Sequence, residues 1–168
     1  MSLENLSQEE LEEKFEMFIF NMSDYLEQII EIAKEKNINL DYSMESLPFL
    51  EEYLIKNKIT INDIDYDSAS AYLGQVLRKN YGGKWICNLD KENNSLYYGY
   101  PVITGHTKYD VLFSPFHVIK AFLLRHKNNL LTTAIESDIS PTEIDWSKFP
   151  TEEEPKPDKP KGDWSVFD

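Results

Sequence analysis

The chain has 168 residues and a net charge of −13, from 17 Lys and Arg against 30 Asp and Glu, and 41% of its residues are hydrophobic. That length and content suit one buried core, as a single domain or a domain plus a tail. No apolar run of about 18 residues exists to span a membrane. The acidic start lacks the basic and apolar regions of a secretory signal, and the single cysteine, Cys87, excludes an internal disulfide. A cytoplasmic protein is therefore expected. No membrane partner is expected, and no nucleic-acid partner, because neutralising phosphates takes clustered Lys and Arg.

The charge is unevenly distributed. Residues 1–60 hold 14 acids and 5 bases, residues 61–130 hold 6 and 8, and residues 131–168 hold 10 and 4. A mildly basic middle thus lies between two acidic ends. A solvated surface accounts for such acids; so does a surface that steers a basic partner.

The first predicted element is one long amphipathic helix. Ser7 and Glu10 have capping-box spacing. At about 100° per residue, Leu11, Phe15, Phe18, Met22, Leu26, Ile29 and Ala33 fall within about 80° of arc. Asn37 ends the pattern. The opposite face carries Glu9, Glu13, Glu16, Glu27 and Glu31, with Phe20 in its middle. Phe20 is either part of a second buried side or an exposed anchor for a partner.

A second helix is predicted over about 44–56, capped by Ser43 or Ser46, with Pro48 in its first turn. A third starts at Asp63 or Asp67 and runs to Asn80, with Ala69, Tyr72, Leu73, Val76 and Leu77 inward. Asp63, Asp65 and Asp67 suit its positive N-terminal end. They lack the Gly and terminal Glu that a calcium loop requires. Gly82 and Gly83 stop this helix.

The pattern then changes to strands over 84–89, 96–103 and 109–113, joined by short turns, which predicts an antiparallel meander of at least three strands. Pro101 marks an edge or a bulge. Alternation places Tyr98 and Tyr100 on one face of the second strand and Tyr97 on the other. One of these faces meets the core; the other offers tyrosine to a partner or packs under a helix. Ser114 and Pro115 open a fourth helix as N-cap and first residue. Its FHVIKAFLL run is apolar nearly all round, which predicts a central position. Asn128 and Asn129 interrupt it before a last helical segment over 130–135. The order reads as α+β: N-terminal helices, a meander, then C-terminal helices. Residues 1–140 form the domain. Residues 141–168, with prolines at 141, 150, 155, 157 and 160, form an acidic tail expected to dock on the chain or on a neighbour.

That tail repeats a short pattern. Asp145-Trp146-Ser147-Lys148-Phe149 matches Asp163-Trp164-Ser165-Val166-Phe167 at four of five positions. Trp146, Phe149, Trp164 and Phe167 are candidate anchors, since such rings bury large areas. The histidines offer no metal spacing, and no zinc motif or cofactor motif occurs. His126 reads as a core histidine, His106 as exposed in a hairpin turn, and Cys87 as a small buried residue. No motif for serine, phosphate-loop or glycosidic chemistry stands out.

The block Ala71-Tyr72-Leu73-Gly74-Gln75-Val76-Leu77-Arg78, followed by Gly82-Gly83-x-Trp85 and later Ser114-Pro115-Phe116-x-Val118, resembles small bacterial domains of unknown function. Some of these occur beside polymorphic toxins as immunity proteins. The resemblance covers about residues 69–125 and carries over no catalytic residue.

The leading expectation is a non-enzymatic protein-binding module, of the immunity type, that inhibits a basic protein partner. Its contact residues would be Phe20, Glu13, Glu16, Glu27, Glu31, Tyr97, Trp146, Phe149, Trp164 and Phe167. The alternatives are a small enzyme with a His/Cys or His/Asp site, and a homodimer or larger homo-oligomer formed through the tail.

Overall fold

The computed structural model describes residues 3–108 and 111–139. These residues form six α-helices and one two-stranded sheet: α1 Gln8–Phe20, α2 Met22–Glu35, α3 Leu47–Lys56, α4 Ile64–Tyr81, β1 Lys84–Cys87, β2 Pro101–Thr104, α5 Pro115–Arg125 and α6 Leu130–Ile139. The class is α+β, with helices before and after the sheet.

The N-terminal helix starts where the capping box places it. Ser7 Oγ accepts the Glu10 N–H at 3.1 Å, and Glu10 returns the bond to the Ser7 N–H at 2.8 Å. It is two helices, however, and not one. Asn21 takes a non-helical ψ between α1 and α2. The apolar stripe survives the break: Leu11, Phe18, Met22, Leu26, Ile29 and Ala33 are all buried, and Phe15 is half-buried. The second predicted helix begins with a 3-10 turn, Met44–Ser46, and continues as α3.

The centre of the fold is α4, packed chiefly against α2 and α5. Residues 68–74, Val76 and Leu77 are all buried, far more than the single predicted face. Small residues make this possible: Ser68, Ala69, Ser70, Ala71 and Gly74 let neighbouring elements come close. A Cβ on Gly74 would lie 2.2 Å from the Trp85 ring, so only glycine lets β1 lay its tryptophan on the helix. Gln75 Oε1 then accepts from Trp85 Nε1 at 3.1 Å and from Arg78 Nη1 at 2.8 Å. Tyr72 is buried with its hydroxyl paired. It accepts the Tyr42 N–H at 2.8 Å and donates to Ser46 Oγ at 2.7 Å, because Ser46 itself donates to the Ser43 carbonyl. The helix stops at Gly82, whose φ of 92° suits glycine.

The sheet is smaller than predicted. β1 and β2 pair antiparallel from Lys84 opposite Thr104 to Cys87 opposite Pro101. The predicted third strand is represented among the described residues by one bridge, Phe113 with Ile103; Tyr109 and Asp110 lie outside those residues. The predicted second strand loses its first half. Residues Ser95–Tyr97 form a 3-10 turn and Gly99 takes a φ of 84°, a conformation that no strand contains. Pro101 is the first residue of β2, where its missing N–H is tolerated.

Ser114 and Pro115 open α5 as predicted, but α5 is not the central helix. Leu124 is 75% exposed, so the apolar run reaches solvent on one side. His126 is exposed at the end of α5, where a φ of 52° turns the chain; it does not enter the core. His106 shows the reverse. It was expected at the surface, yet α6 covers the turn that carries it and leaves it 4% exposed. Its Nε2 meets Asp138 of α6, and Thr107 Oγ1 donates to the Ile139 carbonyl at 3.2 Å.

Candidate functional site

The acidic surface of the N-terminal helices is solvent-facing. Glu13, Glu16, Glu27 and Glu31 are all exposed. Phe20 is 79% exposed and Met17 is 58% exposed. Residues three and four apart adjoin on a helix, so Glu13, Glu16, Met17 and Phe20 form one continuous strip along α1. Phe20 is therefore not part of a second buried side. Glu27 and Glu31 are neighbours in the same sense on α2.

Beside this strip lies an open groove of about 920 Å³. Glu10, Glu13, Lys14, Phe15, Met17 and Phe18 of α1 supply one wall. Tyr25, Tyr66, Asp67, Tyr100 and Phe116 supply the rest of its chemistry. The floor is aromatic because three helices and the bend before β2 each send a ring to it. Phe116, at the start of α5, meets Phe18 at 5.3 Å, Tyr66 at 5.4 Å and Tyr100 at 6.2 Å between ring centres. All three contacts are edge-to-face or tilted, as ring quadrupoles favour. Tyr66 is fixed by donating its hydroxyl to the Phe116 carbonyl at 2.9 Å.

Asp67 stands apart in this lining. It is half-buried, and among the described residues it has neither a hydrogen bond nor an ion pair within 4 Å. Burial raises its carboxyl above the ordinary carboxylate range, and Lys14 acts in the opposite direction from a distance. The same carboxylate helps burial to raise the Tyr25 hydroxyl, and it adds to the rise at Tyr66. Among the described residues, the groove therefore combines apolar rings, an unpaired carboxylate and two further glutamates at its α1 edge, with Lys14 as the one cation in its lining.

The structure brings together only some of the residues singled out from sequence. Glu13 lines the groove, with Glu16 and Phe20 beside it. Tyr97 does not line it; it is half-buried, with its ring 4.8 Å from that of His117. Trp146, Phe149, Trp164 and Phe167 lie outside the described residues, as does any dimer contact through the tail. Sequence reasoning passed over Tyr25, Tyr66, Asp67 and Phe116 as site residues. Their one local signal was the aromatic–acid pair Tyr66-Asp67 at the start of α4, which the helix dipole alone explained.

Among the described residues no hydrogen bond or ring contact joins a histidine to Cys87 or to another histidine. The His106 side chain is fully enclosed, and its contact with Asp138 ties the hairpin turn to α6. Ser114 Oγ lies 2.7 Å from His117 Nδ1; Ser114 is buried and is the N-cap of α5, and His117 lies in its first turn. The Cys87 thiol is pushed up, by burial first and by Glu12 second, which disfavours the nucleophilic thiolate. Among the described residues no group of three or more His, Cys, Asp or Glu could hold a metal ion. None of the described helices is long and apolar enough to cross a membrane. A second depression of about 450 Å³ between α3 and the α5–α6 turn includes Glu51, whose carboxylate is already bonded to the main chain.

No protein-family model matches the chain, and no curated protein or solved structure shows significant similarity to it.

Proposed function

We propose that the chain is a non-enzymatic protein-binding module that holds a basic partner against the α1 side of the fold and inhibits it, as an immunity protein does, in the cytoplasm. The observation that carries this reading is Phe20, a large ring 79% exposed within a strip of exposed glutamates. A lone exposed ring needs no explanation. Phe20 continues into Met17 and then into the aromatic groove, so apolar surface and negative charge run side by side. Such a surface offers a central anchor for burial and an acidic rim for steering.

Affinity purification with the tagged 168-residue chain from its own cells tests this. The captured partner should be a basic protein. Phe20→Ser combined with Glu13→Gln and Glu16→Gln should lose it, while Glu52→Gln, on α3, should retain it. If the partner is toxic when expressed alone, the wild-type chain should restore growth and the triple variant should not. Capture that is indifferent to the α1 substitutions overturns the reading.

A further inference from the structure

We infer that the groove beside α1 is a receptor for one cationic side chain, an arginine flanked by apolar residues on the basic partner. This rests on the basic-partner reading above and specifies its point of entry. Solvent reaches the Asp67 carboxylate in the open groove, and a ligand that covers it must supply a hydrogen-bonding partner, because burial without one is costly. Asp67 has none among the described residues, and it faces the groove. The walls around it are the rings of Phe18, Tyr25, Tyr66, Tyr100 and Phe116. A guanidinium matches both features at once: its fork pairs with a carboxylate and its plane packs on aromatic faces. An apolar ligand would leave Asp67 buried and still unpaired. An anion would meet Asp67, Glu10 and Glu13. The exposed Met17 and Ile61 on the rim suit apolar residues on either side of the arginine.

Lys14 is the internal competitor. Its ammonium acts on Asp67 electrostatically but forms no ion pair with it within 4 Å, which leaves the carboxylate available.

The probe is an acetylated, amidated Leu-Arg-Leu tripeptide, with Leu-Gln-Leu as the neutral counterpart. It is titrated into the ¹⁵N-labelled full chain at low ionic strength, where exposed charges are least screened. The amide signals of Tyr66, Asp67, Tyr100 and Phe116 should shift with the arginine peptide. The glutamine peptide should bind about tenfold more weakly, as should the arginine peptide to Asp67→Asn. Lys14→Gln should tighten binding. Equal binding of the two peptides, unchanged binding to folded Asp67→Asn, or weaker binding to Lys14→Gln overturns the inference. If the groove signals stay still while the α1 triple variant still loses the partner, the groove assignment alone falls. If the groove binds arginine but the α1 substitutions leave capture unchanged, the partner reading falls instead.

Discussion

The buried carboxylate of Glu51, on α3, accepts the Leu131 N–H of α6 at 3.0 Å. Its other oxygen accepts the Asn129 N–H at 2.9 Å. The first amides of a helix lack partners within that helix, and the positive end of the dipole favours an anion there. Glu51 thus serves as an N-cap delivered from a different helix. Replacing Glu51 by Ala leaves both amides without this acceptor, and an expected loss of about 1–3 kcal/mol follows. Urea denaturation measures it. Glu52→Gln is the control: its pair with Lys56 is exposed, so a change of about 0.5 kcal/mol or less is expected. Equal effects at the two positions would contradict the capping role.

The contact of Gly74 with the Trp85 ring leaves no room for a methyl group. Gly74→Ala should destabilise by at least the ~1–3 kcal/mol typical of overpacking, despite alanine's better helix propensity. The cost should shrink when Trp85 is replaced by Ala, because the obstructing ring is gone. A double-mutant cycle on denaturation midpoints reads this coupling directly. Additive effects would mean that the helix and the tryptophan do not constrain each other.

Asp67 should reduce stability at neutral pH. Its folded carboxyl is held above the ordinary range, so the fold favours its neutral form. That contribution is fully present below the unfolded value and is lost as pH rises through the folded one. Asp67→Asn should therefore melt higher than wild type at pH 7, with the difference closing as pH falls below about 4. Thermal melts across that range provide the check. A lower melting temperature at neutral pH would show that the carboxylate is stabilised by a contact it lacks here.

His117 should act in the opposite direction. Burial, assisted by Lys120, depresses its folded pKa below the ordinary histidine value, with the Leu96 main chain acting against them. The unfolded chain therefore binds more protons between the two values. The stabilising contribution is present above about pH 6.5 and is lost as pH falls through the folded value. Chemical denaturation of wild type against His117→Gln should show a difference that narrows on acidification from pH 7.5 to 5. A constant difference would show that the imidazole does not titrate differently on folding.

Local chemistry made much of the helical frame legible. The Ser7–Glu10 box, the Leu11-to-Ala33 stripe, the Gly82-Gly83 stop and the Ser114-Pro115 start each depend on residues within a few turns, and each appears where its pattern placed it. The break at Asn21 leaves no mark in the periodicity, because the stripe passes through it in phase. The errors share a different origin. His106 in a turn reads as exposed until α6 covers it, and a run such as FHVIKAFLL reads as central although α4 takes that place. Tyr97, Tyr98 and Tyr100 alternate like strand residues, yet Gly99 turns the chain between them. The groove depended most on distance in sequence. Its floor combines Phe18, Tyr66, Tyr100 and Phe116, which no periodicity connects, and Asp67 became notable only once its lack of a partner was visible.

The enclosure of α4 has a consequence for tolerance of sequence change. A helix with one wet face accepts many residues at every third or fourth position, so an exhaustive substitution screen would show a wave of permitted and forbidden sites along α1. Between Ser68 and Leu77 that wave should flatten, because neighbours press on nearly every side and small residues hold the places where they come closest. This stretch should be the least variable part of any lineage that keeps the fold, even where the exposed surface changes freely.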